Sequence, residues 1–243
     1  LGLLTYAEEH NMPQSEITEI LSCIEIFVFR RLICGYPTNA LLKMFATLHQ
    51  QVLKNKKEED SYYDVMVYLL ENRKRTVVFP KDDEFRQSFI EKPVYLMRPK
   101  SRTYILDRLE NGNSKEKIDV INNVQKGELS VEHIMPQTLT QHWKEQLGSD
   151  YSRIHEEWLH TIANLTLTGY NVQYSNRPFL EKKEDKNGFA ASPLRLNKYI
   201  SKFDKWTEAE MKERQTEMGK RALTVWPYPE TSYKPAVKLD DEV

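Results

Sequence analysis

The chain has almost no net charge of either sign: 35 lysines and arginines stand against 36 aspartates and glutamates, a formal net charge of −1. That balance excludes a molecule that holds nucleic acid through one global field, so any such surface must be a local patch. Cysteine is nearly missing, with Cys23 and Cys34 the only two, both inside an apolar helical pattern. Two such cysteines make no disulfide framework and fit a reducing, cytoplasmic setting. No run is long and apolar enough to span a bilayer, and no signal-peptide pattern opens the chain. With membrane, secreted and disulfide-rich classes set aside, an ordinary globular composition is left, 40% hydrophobic and 11% aromatic. The length of 243 residues admits one large domain or two small ones.

Helical periodicity dominates the first half. Ile17, Ile20, Leu21, Ile24, Phe27, Val28 and Leu32 recur at three- and four-residue spacing, which predicts a helix over 13–35. Glu16 and Glu19 at its start and Arg30 and Arg31 at its end complement the helix dipole, and Gly35 and Pro37 stop it. A second helix follows from Thr38, with Leu41, Leu42, Phe45, Leu48 and Val52 on one face. Ser61 with Asp64 reads as a capping box opening a helix through Leu70. Thr207 with Glu210 is a second capping box, starting a last helix that carries Met211, Met218, Ala222 and Val225. Residues 111–128 are polar and contain glycine, which predicts a boundary there.

Chemistry concentrates between Leu129 and Lys183. Leu129-Ser130-Val131-Glu132-His133-Ile134-Met135-Pro136 is a short β-like run that delivers an acid and an imidazole side by side, and proline ends it because it cannot donate to a ladder. Leu165 to Thr168 is a second β-like run, fenced by Asn164 and Asn171. Ser175 then reads as the N-cap of a polar helical segment, with Pro178 in its first turn. Strand, strand, helix with Glu, His and Asn is the skeleton of a one-metal nuclease site. Hydrolysis of a phosphodiester needs an activated water, and histidine is the side chain whose ordinary pKa suits a general base near neutrality. A hard divalent cation takes oxygen ligands, which Glu132 and an asparagine would supply. One rule works against this convergence. Neighbours on a flat strand point to opposite faces, so Glu132 and His133 meet only if the strand bends or ends there.

At these residues the chain resembles a known family. Glu-His-Ile-Met-Pro-Gln, Ala-Asn-Leu-Thr-Leu-Thr-Gly-Tyr-Asn, Ser-Asn-Arg-Pro-Phe-Leu-Glu-Lys-Lys and the late Val-Trp-Pro-Tyr-Pro are similar to the C-terminal domain of GmrSD-type, modification-dependent restriction endonucleases, within the HNH (His-Me finger) superfamily. The likeness extends upstream through Arg30 to Thr38 and Phe79 to Phe85, so that it runs from about Ile17 to Pro229. The resemblance implies that His133 is the general base, that Asn164 orients it, and that Glu132 is a metal ligand. Asn171, or alternatively Asn176, completes the site for one Mg²⁺ or Mn²⁺ ion. It further implies DNA as substrate, modified DNA in restriction and anti-phage defence, and an N-terminal nucleotide-using domain of the same polypeptide, of which this chain would be the C-terminal portion.

The fold expected is therefore mainly α (α+β): a helical linker or scaffold over 1–112, a ββα-metal, HNH-like nuclease domain embedded in helices over 113–230, and a flexible acidic tail over 231–243. Basic residues outnumber acids between Lys182 and Lys205. Lys182, Lys183, Lys186, Arg195 and Lys198 are the expected contacts to a nucleic-acid backbone, which give affinity without reading sequence. His142, His155 and His160 share no helix face and have no cysteine nearby, so no structural zinc is expected. Trp143 and Trp158 read as packing anchors. Two alternatives to a DNA endonuclease stand beside it: a catalytically inactive DNA- or partner-binding module of the same fold, and an RNA-directed nuclease.

Overall fold

The computed structural model describes residues 2–112 and 114–235. In chain order its helices are α1 (Gly2–Glu9), α2 (Gln14–Ile33), α3 (Asn39–Asn55), α4 (Tyr62–Glu71), α5 (Asp82–Glu91), α6 (Pro99–Asn111) and α7 (Val120–Gln125), followed by α8 (Gln141–Leu147), α9 (Tyr151–Trp158), α10 (Asn171–Tyr174), α11 (Phe179–Glu184), α12 (Arg195–Ile200) and α13 (Glu208–Val225). Strands β1 (Ser130–His133) and β2 (Leu165–Thr168) form a two-stranded sheet. The chain divides into two compact units, Leu1–Phe85 with Trp226–Val243, and Arg86–Val225.

This division differs from the expected boundary near residue 112. Asn111 is the physical reason. Its amide donates to the carbonyl of Ile118 and its Oδ1 accepts from the Ile118 N–H, both at 2.8 Å, so the polar, glycine-containing stretch closes back on α6 instead of linking domains. α6 also packs against α7, α12 and α13, which places it in the second unit.

In the first unit α4 packs on both α2 and α3, burying Ile20, Phe27, Leu48, Val52, Val65 and Leu70. Part of the periodicity of α2 and α3 comes from this core, whereas Leu21, Val28, Leu32 and Leu42 of the expected stripes are exposed. Ser61 caps α4 by accepting from the Asp64 N–H. Arg30 and Arg31, which read as the charged end of a surface helix, are instead buried. Arg30 donates to the carbonyls of Pro80 and Trp226 and to Asp82, and Arg31 to the carbonyls of Pro37, Thr76 and Val78. Two guanidinium forks thus satisfy loop carbonyls that have no ladder partner. Part of the expected tail is ordered: Thr231 donates to Asp64, and Tyr233 donates to the Asn55 carbonyl while its ring meets Tyr68. The rest of that tail, 236–243, lies outside the described residues.

The second unit carries the hairpin. β1 and β2 run antiparallel with Ser130 opposite Thr168, Glu132 opposite Thr166 and His133 opposite Leu165. Every residue of β2 is buried, because both faces of the hairpin are covered. On one face Thr166 donates to Asn197 of α12, whose amide donates to the Leu167 carbonyl. A core of Ile134, Met135, Trp143, Ile154, Trp158, Phe179, Phe189 and Trp206 surrounds the strand end. Burying each such aromatic contributes on the order of 1.5–3 kcal/mol, so the hairpin terminus is held by a large apolar core. Thr207 and Glu210 make the expected N-terminal cap, the Thr207 N–H donating to Glu210 Oε2 at 2.8 Å.

The segment after β2 departs from expectation. Ser175 does not open a helix. It closes the one-turn α10 with φ of 41°, and α11 begins only after Pro178. Gly188 then folds the chain back over the end of α11, where a Cβ would strike the carbonyls of Lys182, Lys183 and Asp185.

Candidate active site

Residues directly opposite in an antiparallel pair share a face. The register therefore assigns Glu132 to the Thr166 face and His133 to the Leu165 face. Pairing holds through His133, and Pro136 comes too late to bend the strand before it. The acid and the imidazole accordingly find different partners.

Glu132 turns to α11. Its Oε1 lies 2.6 Å from Lys182 Nζ, and the same ammonium donates to the carbonyls of His133 at 3.0 Å and Ile134 at 3.2 Å. Three donors meet three acceptors, so the lysine is saturated. Glu132 keeps 3% of its exposure and Lys182 none. Burial pushes the Glu132 carboxyl up to about 6 and the Lys182 amine down, each held back by the other's charge. At 2.6 Å, with the ammonium enclosed by acceptors, the charged pair is the form the geometry supports. Lys182 is thus a buried brace between α11 and the end of β1, not the expected contact to a nucleic-acid backbone.

His133 turns the other way and is 5% exposed. Its ring meets the edge of Tyr95, centroids 4.2 Å apart, and its Nε2 lies 3.4 Å from His160 Nδ1. His160 stacks on Tyr95 at 5.4 Å and 10°, and its carbonyl accepts from the Tyr95 N–H. Arg102 lies over the same Tyr95 ring and donates to the Tyr95 carbonyl. Burial, and then the charges of His160, Lys182, His155 and Arg102, push the His133 imidazole down to about 3. It is neutral at pH 7, and burial leaves it a weaker base than a free imidazole.

Asn164 is fully buried. Its Nδ2 donates to the carbonyls of Met135 at 2.9 Å and Leu159 at 3.1 Å, and its Oδ1 accepts from the Met135 N–H at 2.8 Å and Trp206 Nε1 at 3.1 Å. Two donors and two lone pairs are the whole capacity of a carboxamide. Asn164 therefore clamps the chain beyond β1 and has nothing left for the imidazole. His155 adds to the clamp: its Nε2 lies 3.0 Å from the Pro136 carbonyl, which can only accept.

Asn171, at the start of α10, donates from Nδ2 to the Val131 carbonyl at 3.2 Å. Asn176 lies in the link between α10 and α11. Of the expected backbone contacts, Lys183 is engaged by Asp204 and the Phe203 carbonyl, and Arg195 by Glu110, Ser114 and the Glu116 carbonyl. Lys186 and Lys198 are exposed.

A hard cation needs converging oxygens. Here Glu132 already holds an ammonium and Asn171 holds a strand carbonyl through its amide, and among the described residues no three His, Cys, Asp or Glu side chains form a metal-holding group. In this arrangement the residues do not fit a divalent ion at Glu132, because Lys182 occupies the position its positive charge would take. Neither Tyr95 nor His160 is legible as a site residue in the sequence: Tyr95 carries no local signal and lies far from the motif, and His160 reads there only as one of three histidines that share no helix face.

The fold and the site define a mainly helical module organised around a two-stranded hairpin that ends in a neutral, nearly buried histidine. Residues 79–221 match the GmrSD restriction endonucleases, C-terminal domain. That match covers more than half of the chain, and the chain belongs to this family. It is thus a restriction-endonuclease type of nuclease module. Among curated proteins, none matches the chain. No helix among the described residues is long and apolar enough to cross a membrane.

Proposed function

We propose that the second unit is an HNH-type, His-Me-finger endonuclease that hydrolyses phosphodiester bonds of DNA, modified DNA in particular, with His133 as general base. The observation that carries this reading is the placement of His133 at the end of β1, paired antiparallel with β2 ahead of α10, in a chain of the restriction-endonuclease family. With Nε2 directed at His160, the ring nitrogen left for an attacking water is Nδ1. General-base assistance of this kind contributes about 10²–10⁴-fold to a rate. Arg102, half-buried beside Tyr95 and within electrostatic reach of His133, supplies positive charge for the scissile phosphate, and the exposed Lys186 and Lys198 serve the flanking backbone.

One Mg²⁺ or Mn²⁺ ion, with Asn171 or Asn176 as the protein's oxygen, belongs to the same proposal, and Glu132, held by Lys182, is not assigned to it. Because Lys182 holds Glu132, no step is assigned to the ion. The same pair is the one observation favouring the alternative, a module of this family that binds DNA or a partner without cutting.

The test is cleavage of plain and glucosylated plasmid by the full chain, with Mg²⁺, with Mn²⁺ and with EDTA. Nicking or linearisation that EDTA abolishes is the expected result. Intact plasmid of both kinds under every condition contradicts the proposal.

A further inference from the structure

A base delivers its rate only if the correct ring nitrogen faces the water, which requires a partner that fixes the tautomer of the imidazole. The resemblance gives that task to Asn164, yet all four hydrogen-bonding positions of its carboxamide are taken by Met135, Leu159 and Trp206. The polar side-chain atom facing His133 Nε2 is His160 Nδ1, at 3.4 Å. His160 is itself fixed, its ring stacked on Tyr95 and its carbonyl bonded to the Tyr95 N–H. The Tyr95 ring in turn meets the His133 ring. Three rings from three separate segments thus form a closed set around one imidazole.

We propose that His160, seated on Tyr95, is the positioning residue for His133, accepting from its Nε2–H and so leaving Nδ1 as the basic nitrogen. The proposal rests on the nuclease reading above for its effect on rate, but its geometric content is independent of it. His160 then carries its own proton on Nε2. At 3.4 Å the bond is long for its kind, and such contacts tighten when substrate binds.

The test uses the full chain and two variants. His160→Phe keeps a ring on Tyr95 and removes the acceptor. His160→Gln returns an acceptor oxygen without the ring. ¹⁵N NMR of the labelled imidazoles, with His133 assigned by its loss in His133→Asn, reports the tautomer without reference to cleavage. Plasmid cleavage supplies kcat and KM. Wild-type His133 is expected as a single Nε2–H tautomer, and His160→Phe as a mixture with kcat reduced at least about tenfold and KM changed by less than about twofold. His160→Gln restores most of the lost kcat. A wild-type His133 protonated on Nδ1 overturns the proposal, as does a His160→Phe variant with unchanged tautomer and kcat, or a His160→Gln variant no better than His160→Phe. If the wild-type chain cuts no plasmid, the nuclease reading fails, while the tautomer still judges the role of His160.

Discussion

Lys182→Met is expected to destabilise the second unit by roughly 3–5 kcal/mol, the cost of breaking a buried ion pair from one side. The reason lies in what the ammonium holds. It neutralises Glu132 at 2.6 Å and satisfies the carbonyls of His133 and Ile134. Methionine fills much the same space and leaves a buried carboxylate and two carbonyls unanswered, each unmet group adding about 1–3 kcal/mol. Glu132→Gln combined with Lys182→Met removes the stranded charge and is expected to recover part of the loss. Recovery stays incomplete because the two carbonyls still lack a donor. Thermal melts followed by tryptophan fluorescence measure this well, since Trp143, Trp158 and Trp206 all lie in the core around the strand end. A Lys182→Met variant that melts with the wild type would show that the pair does not brace the hairpin.

Asn164→Ala is expected to cost a similar amount, roughly 3–5 kcal/mol, because it strands several buried partners at once. The Met135 N–H and carbonyl, the Leu159 carbonyl and Trp206 Nε1 all lose their partner. Asn164→Asp is expected to be no better: it keeps the acceptors, loses both donated bonds and buries a charge without a cation. Cleavage falls with stability in both variants, and slowed amide exchange at Met135 is lost with it. If Asn164→Ala melted like the wild type while cleavage alone disappeared, Asn164 would be acting on the imidazole directly, and the clamp described for it would be wrong.

What was legible in the sequence is what local signals encode. The existence of α2 and α3, the Ser61 and Thr207 caps, the strands of the hairpin and the anchoring role of Trp143 and Trp158 each follow from neighbours in the chain or from side-chain size, whereas Leu21, Val28, Leu32 and Leu42 of the expected stripes are exposed. The misreadings share another physics. Lys182 sits in a basic run and resembles solvated surface, yet its acceptors come from Glu132, His133 and Ile134, far away in the chain. The burial of Arg30 and Arg31 is illegible for the same reason, because their loop carbonyls cannot be seen from α2 alone. Ser175 has the residue type of an N-cap, but the chain turns there through positive φ and ends a helix. For Glu132 and His133 the alternation of a strand already opposed their convergence, and the register upholds that rule. Tyr95 and His160 became site residues only when the fold set them against His133.

The central claim is that His133 acts on the water and does not hold up the fold. The most direct measurement compares plasmid cleavage and melting temperature of the wild-type chain and His133→Ala in the same buffer. The expected result is a loss of cleavage of at least about 100-fold, with a melting shift of only about 4–8 °C for an estimated 2 kcal/mol of lost ring packing. Cleavage that persists near the wild-type rate in a folded His133→Ala protein would contradict the account.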